Sequence, residues 1–183
     1  MIGSAWAHHP MEFGLPATLA EGLLSGLGHP LIGVDHFAFI LAAGFFLALV
    51  NGGIWGIVAL IIGSLLGAGV HLQGFDLPSG GIAVALSVIL IGVLVAARRP
   101  IGIGWMCAGL VLAGMVHGYA YAESIMGAER TPLVAYLIGF SLIQFGVATA
   151  AFVFHRKQYE KTKTLSPALG AIIGMIGVTF LFV

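Results

Sequence analysis

The stretch GHPLIGVDHFAFILAAGFFLALV, Gly28 to Val50, places two histidines and an aspartate at the head of an apolar run. About 20 apolar residues are enough to cross the hydrocarbon core of a bilayer. Polar and charged side chains at such depth cost free energy, so they face a bundle interior or a water-filled cavity. This stretch therefore predicts a membrane helix whose first turns carry a function.

Composition also indicates a membrane protein. Of the 183 residues, 60% are hydrophobic and 8% are charged, whereas soluble domains carry about 25% charged residues. Such a chain cannot cover its own surface in water, so we expect the lipid bilayer to be a partner. The formal net charge is zero, and nothing indicates nucleic acid binding. The single cysteine, Cys107, excludes a disulfide framework within one chain.

Six apolar runs are long enough to cross a bilayer. They cover residues 31–50, 54–72, 81–98, 101–121, 133–154 and 165–183. A shorter apolar segment, 16–28, is predicted to form an interfacial or re-entrant helix after an exported tail, 1–15. The predicted fold is an all-α integral membrane protein, a single domain over 1–183 with six transmembrane helices and a short N-terminal interfacial helix.

Basic residues indicate the orientation of these helices. Six of the seven lysines and arginines fall in two connections that share one side if six helices are correct: Arg98, Arg99, Arg156, Lys157, Lys161 and Lys163. The positive-inside rule makes that side cytoplasmic, so both termini are expected outside a bacterial inner membrane. Ala5-Trp6-Ala7 has the pattern of a signal peptidase site, and we interpret residues 1–7 as a trimmed export signal.

The three polar residues of the opening stretch are candidate metal ligands at the outer side. His29 and His36 are seven residues apart, which on a straight helix separates them by about 10 Å. They cannot then bind one ion, so we expect residues 29–34 to be non-helical, as Pro30 and Gly33 permit. Asp35 would neutralise part of a dication's charge or hold a histidine tautomer. A structural Asp35–His36 pair is the alternative.

Other histidines and carboxylates are expected near the same side, and we consider them further candidate metal ligands. They are His117 and Glu123 near the end of the fourth helix, His71 at the end of the second helix and Asp76 after it, and His8 and His9 in the tail. The tail is either a metal antenna or a segment without a role, and His71 is alternatively an interfacial polar residue. Imidazole and carboxylate together suit Ni²⁺, Co²⁺, Zn²⁺, Mn²⁺ or Fe²⁺ and hold Cu⁺ poorly.

The remaining polar residues receive structural interpretations. Gln144 is expected to make an interhelical hydrogen bond, with lining of a pathway as the alternative. Tyr119, Tyr121 and Trp105 fit anchoring at the membrane interface. His155, beside Arg156, is interpreted as part of the basic face.

The segment His29 to His36 is similar to the signature HPxxGxDH of the HupE/UreJ family of hydrogenase- and urease-associated membrane proteins. The segment His117 to Glu123 resembles the second motif of that family, HG-x-A-x-x-E. The resemblance extends over nearly the whole chain and implies a permease for nickel or cobalt. It also implies that His29, Asp35 and His36 form the transport site and that His117 and Glu123 contribute. Ala122 departs from the family, which often has glycine there.

Three classes of function remain to be compared. The first is a secondary transporter that moves Ni²⁺ or Co²⁺ inward without ATP, since no GxxxxGK[ST] motif is present. The second, an enzyme, is not predicted because HExxH and GxSxG are absent; no catalytic cofactor is expected. The third is a non-transporting metal-binding protein or an accessory subunit of a membrane complex. Other metals, such as zinc, iron or copper, remain alternatives as the substrate.

Overall fold

The structure, a computed structural model, describes residues 14–99 and 101–182. Over these residues the chain forms helices without any β-strand, which confirms the all-α prediction. The helices are α1 (Leu19–Ile32), α2 (Val34–Leu47), α3 (Ile54–Leu72), α4 (Gly80–Ala97), α5 (Ile103–Glu123), α6 (Arg130–Lys157), α7 (Tyr159–Thr162) and α8 (Ser166–Phe180).

Four of these helices, α3 to α6, are long and apolar enough to cross a membrane. The pair α1 and α2, bent by 78°, passes the same test together and adds a fifth if the pair is one broken span. Helix α8 is apolar but has only 15 residues. The predicted number of six transmembrane helices is therefore not established by helix length and stays a prediction.

The chain from 16 to 50 differs from its prediction. In place of a short helix and a separate span, α1 continues through residues 29–32, and Gly33 alone separates it from α2. The expectation of a non-helical segment over 29–34 was wrong in extent, although a break is present. Helix α1 begins with a capping box, in which Thr18 and Glu21 each accept a hydrogen bond from the other's backbone N–H.

Both halves of the bent pair pack along α6. A Cβ added at Gly22 would lie 2.8 Å from the Cα of Pro132, and one added at Gly44 would lie 2.9 Å from the Cα of Ala148. These contacts advance in the same direction along the bent pair and along α6, so α1 and α2 run in the same direction as α6. The bend between them thus falls beside the first half of α6, inside the bundle.

The other helices form two close pairs, α3 with α5 and α4 with α8. A Cβ added at Gly67 of α3 would lie 2.7 Å from the Cα of Met115 in α5. Small residues allow such close approach, which supplies van der Waals contact where lipid removes the hydrophobic driving force. Many large apolar side chains remain exposed on the outside, including Trp105 and Leu112, as a bilayer requires.

Candidate metal-binding site

The bend at Gly33 brings together two histidines that a straight helix would separate. The ring centroids of His29, in α1, and His36, in α2, lie 5.9 Å apart. Gly33 has an extended backbone, with φ −68° and ψ 103°, and a Cβ there would lie 2.7 Å from His36 Cδ2. Glycine therefore allows the imidazole of His36 to fold back against the bend.

His36 meets His117 of α5 in the bundle interior. Their Nδ1 atoms are 2.7 Å apart, and both side chains are buried. Phe39, one turn further along α2, stacks on the His117 ring with 4.2 Å between centroids. The sequence separates these two histidines by 81 residues, so only the packing of α2 near α5 creates the pair.

Ser87 of α4 determines which nitrogen of His117 carries the proton. Its hydroxyl donates to Val84 O at 2.7 Å and lies 2.8 Å from His117 Nε2. With its only proton committed to that carbonyl, Ser87 accepts from Nε2–H. His117 Nδ1 then presents its lone pair and accepts a hydrogen bond from His36 Nδ1–H. A hydroxyl bonded to the second ring nitrogen fixes the tautomer and the orientation of a histidine, as the outer partners of metal-binding histidines do.

His29 is held by a second hydroxyl network. Its Nδ1 lies 3.0 Å from Ser124 Oγ and 3.1 Å from Tyr136 Oη. Both hydroxyls also lie within 2.9 Å of the Tyr121 carbonyl oxygen. When both hydroxyl protons are donated to that oxygen, His29 Nδ1 is the donor to the hydroxyls, and its Nε2 carries the lone pair.

The Tyr121 ring lies among the three histidines, which we call the histidine cluster: His29, His36 and His117. Its centroid is 5.3, 4.6 and 6.4 Å from theirs, respectively. Tyr121 is fully buried, and within the described part of the chain its hydroxyl has no hydrogen-bond partner. The interpretation of Tyr121 as an interfacial anchor was therefore wrong, whereas Tyr119, although buried, bonds through its hydroxyl to the connection between α3 and α4.

Asp35 lies beside the cluster in the first turn of α2. Its Oδ1 accepts a hydrogen bond from His36 N–H at 2.8 Å, and the side chain is half-buried. A carboxylate in the first turn is stabilised by the backbone N–H groups that end unpaired there. Asp35 thus supplies one negative charge close to two imidazoles.

The other predicted ligands are not part of this cluster. Glu123 is exposed at the end of α5. His71 packs edge-on against Tyr119, whose hydroxyl donates to Phe75 O and reaches Asp76 Oδ1 at 3.3 Å. His8 and His9 lie outside the described residues.

Across residues 14–99 and 101–182, no three side chains among histidine, cysteine, aspartate and glutamate converge on one point in a way that could hold a metal ion. The histidine cluster is therefore a pair in direct contact, His36 with His117, and a third imidazole, His29, at the distance given above. Binding of one ion by all three requires the side chains to turn toward each other.

Two polar residues lie beside Gly118, the residue that follows His117 in α5. A Cβ on Gly118 would lie 2.6 Å from the Cα of Ser64 in α3, and the Ser64 hydroxyl is 3.1 Å from Gln144 Oε1 in α6. The interhelical hydrogen bond predicted for Gln144 is confirmed. Both side chains are fully buried, and Gln144 Nε2 has no hydrogen-bond partner among the residues that the structure describes.

At the opposite end of the bundle, His155 differs from its interpretation as part of a basic face. It is fully buried. Its Nδ1 lies 2.8 Å from Thr162 Oγ1, and its ring centroid lies 3.6 Å from that of Phe45. The neighbouring Arg156 is exposed, so the basic face and the histidine point in different directions.

These observations define a class: a polytopic helical membrane protein in which two histidines from different helices, His36 and His117, meet in the interior. Comparison with known proteins agrees. The family model described as HupE / UreJ protein matches residues 1–180, so the chain belongs to the HupE/UreJ family, which is associated with nickel and cobalt accessory transport. The chain is 33% identical over 143 residues to Protein HupE of Rhizobium leguminosarum bv. viciae, covering 70% of this chain and 75% of that protein. No solved structure matches the chain.

Proposed function

We propose that the protein is a secondary permease that moves a divalent transition metal ion, Ni²⁺ or Co²⁺, inward through the histidine cluster. The observation that carries this proposal is the contact between His36 Nδ1 and His117 Nδ1 at 2.7 Å. Two imidazoles in contact inside a membrane bundle place nitrogen ligands for a cation at a depth where polar side chains are rare and mark ion pathways.

The separation of the two nitrogens is close to what a shared metal ion requires, although both rings must turn so that their lone pairs point at the ion. Bonds of about 2.0–2.1 Å from each nitrogen place two neighbouring ligand atoms roughly 3 Å apart. The two Nδ1 atoms would therefore separate by only a few tenths of an ångström. His117 Nδ1 already carries its lone pair, whereas His36 must shift its proton from Nδ1 to Nε2 before both can bind.

Other groups near the pair would supply part of the remaining coordination shell of the ion. His29 would turn its Nε2 toward the ion, and the Asp35 carboxylate would offset part of the charge. Water would fill the remaining positions. Incomplete coordination by the protein suits transport, because an ion held too tightly never leaves. Nitrogen and oxygen ligands rank several metals similarly, so nickel and cobalt are proposed on the family membership.

An inward path would begin at Gln144 and Ser64. The oxygen and nitrogen of a buried amide are assigned from hydrogen bonding. When the Gln144 amide turns over, its nitrogen donates to Ser64 Oγ and its oxygen faces the unpartnered side. That oxygen can accept a cation released from His117. Below it the helices meet in an apolar layer that includes Phe46, Leu47 and Phe152. In this conformation the path would therefore be closed toward the end of the bundle that carries Arg98 and Arg156.

The same proposal includes six transmembrane segments. The bent pair α1–α2 would cross once, and α8, about 22 Å long, would be the sixth segment in a locally thinned bilayer. Both termini would then lie outside, and the connections with Arg98 and Arg156 would be cytoplasmic. A dication moving inward across 100 mV gains about 4.6 kcal/mol, which drives uptake without ATP.

The experiment is uptake of radioactive Ni²⁺ and Co²⁺ into proteoliposomes with an inside-negative potential. Asp35→Asn, His36→Ala and His117→Asn should each reduce uptake about tenfold or more, as loss of a ligand or its partner does elsewhere. Glu160→Gln, an exposed carboxylate at the opposite end, is the matched control and should transport normally. Equal uptake by the control and the three site variants would refute the proposal. Transport of Zn²⁺ or Fe²⁺ but not of Ni²⁺ or Co²⁺ would show that the proposed substrate is wrong.

A non-transporting metal-binding protein is the second candidate, favoured by the apolar layer beneath Gln144. The same preparations separate the two. Calorimetric binding of metal that depends on His36 and His117, together with no uptake above empty liposomes, would support a receptor or an accessory subunit.

A further inference from the structure

The basic end of the bundle contains a cavity of about 370 Å³. Its lining comes from the ends of four elements, namely Ala48 and Leu49 after α2, Arg98 after α4, Arg156 in α6 and Tyr159 in α7. This volume falls in the usual range of small-molecule sites, about 300–1,000 Å³. The cavity takes no part in the metal pathway proposed above, since two guanidinium groups repel a dication.

Both arginines are exposed, and each side chain makes a contact with a neighbouring residue. Arg98 donates from one guanidinium nitrogen to Lys163 O at 3.0 Å, and Arg156 lies over the Phe152 ring at 5.6 Å. In the described part of the chain, the ion pair within 4 Å joins Lys163 to Glu160, so neither arginine has a carboxylate partner. Most of their N–H donors therefore remain available to an anion.

The backbone at Arg98 supports a role for its side chain. This residue ends α4 with φ 52° and ψ 26°, in the left-handed region. Glycine usually occupies that conformation at the end of a helix, because a side chain is strained there. In this conformation the Arg98 guanidinium reaches Lys163 O beside the cavity that it lines.

We propose that this cavity binds the phosphate group of an anionic lipid headgroup. Arginine matches phosphate geometry with paired N–H donors, and basic pockets at the ends of transmembrane helices bind such headgroups. Apolar side chains lie at the site where acyl chains would run, since Ala48 and Leu49 line the cavity. Free phosphate shares the headgroup chemistry but not these apolar contacts.

Native mass spectrometry of the delipidated full chain in neutral detergent tests the proposal. Phosphatidylglycerol should be retained about tenfold more strongly than zwitterionic phosphatidylcholine, and Arg98→Gln/Arg156→Gln should remove that preference. The matched control is Lys157→Gln/Lys161→Gln, which removes the same charge from the same end at exposed positions that do not line the cavity. It should keep most of the preference.

Three results would overturn the proposal: no preference in the unchanged protein, equal loss in the two double variants, or full displacement of the lipid by excess inorganic phosphate. The last would reassign the site to free phosphate. Thermal unfolding checks that each variant is folded. Should the arginine double variant fail to fold, Arg156→Gln alone must lower the preference, and Arg98→Lys/Arg156→Lys must keep part of it.

Discussion

Replacement of Gly118 by alanine tests the packing that supports His117. The added Cβ would lie 2.6 Å from the Cα of Ser64 and closer still to its carbonyl oxygen. Since real Cβ atoms essentially never come within 3.0 Å of such atoms, α3 and α5 must separate by about 1 Å, and strain of this kind costs about 1–3 kcal/mol. The separation would also stretch the 3.1 Å contact between Ser64 and Gln144.

Gly109→Ala is the matched control, because the same change in the same helix meets nothing within 4 Å. Alanine favours the helix over glycine by up to about 1 kcal/mol, so this variant should be as stable as the unchanged protein or slightly more stable. Unfolding in mixed micelles with increasing dodecyl sulfate gives the free energy of each variant. Equal stability of Gly118→Ala and Gly109→Ala would refute the close packing of α3 on α5.

Three further predictions concern the site and the basic end. Ser87→Ala removes the acceptor for the Nε2–H of His117 and should weaken metal binding about 10- to 100-fold. The ¹⁵N spectrum of this variant should show a changed histidine tautomer. The control is Ser141→Ala, which should bind metal normally; Ser141 is half-buried like Ser87, and its hydroxyl is bonded to the carbonyl of Leu137. Gly33→Ala should weaken calorimetric metal binding, because its φ suits alanine but the added Cβ must displace the His36 ring; unchanged binding would contradict the close approach at the bend. Glu160 raises the pKa of Lys163 above its ordinary value of 10.5 by hydrogen bond and charge, so the pair's stabilisation is present below pH 10.5 and is lost as the pH rises through the raised pKa. Glu160→Gln should abolish that dependence in pH-resolved unfolding, and an unaltered profile would count against the pairing.

Sequence alone identifies the helices well, because apolar runs and the glycine and proline breaks between them are local signals. The break between His29 and His36 follows from the same reasoning, since two turns of straight helix keep these rings apart. The short length of the break does not follow from the sequence. Pro30 lies in the last turn of α1, where the helix tolerates it, and Gly33 alone makes the bend.

The partners of the histidines were beyond sequence reasoning. Ser87, Ser124 and Tyr136 contact His117 or His29 across 30 to 107 residues, and a hydroxyl within an apolar helix has no spacing that marks it. Tyr121 resembled an interfacial residue because tyrosines are common there, yet it follows His117 by one turn and shares its buried face. A face of this kind becomes visible only when the helix pairing is known.

Because a single residue joins α1 to α2, any rotation of α1 about that joint would move its two ends by very different amounts. Helix α1 has 14 residues and extends about 21 Å from Gly33, so a swing of about 10° displaces its far end by nearly 4 Å. His29, only one turn from the joint, shifts by about 1 Å in the same swing. The position of His29 relative to His36 would therefore depend much less on the tilt of α1 than the position of its first turn does.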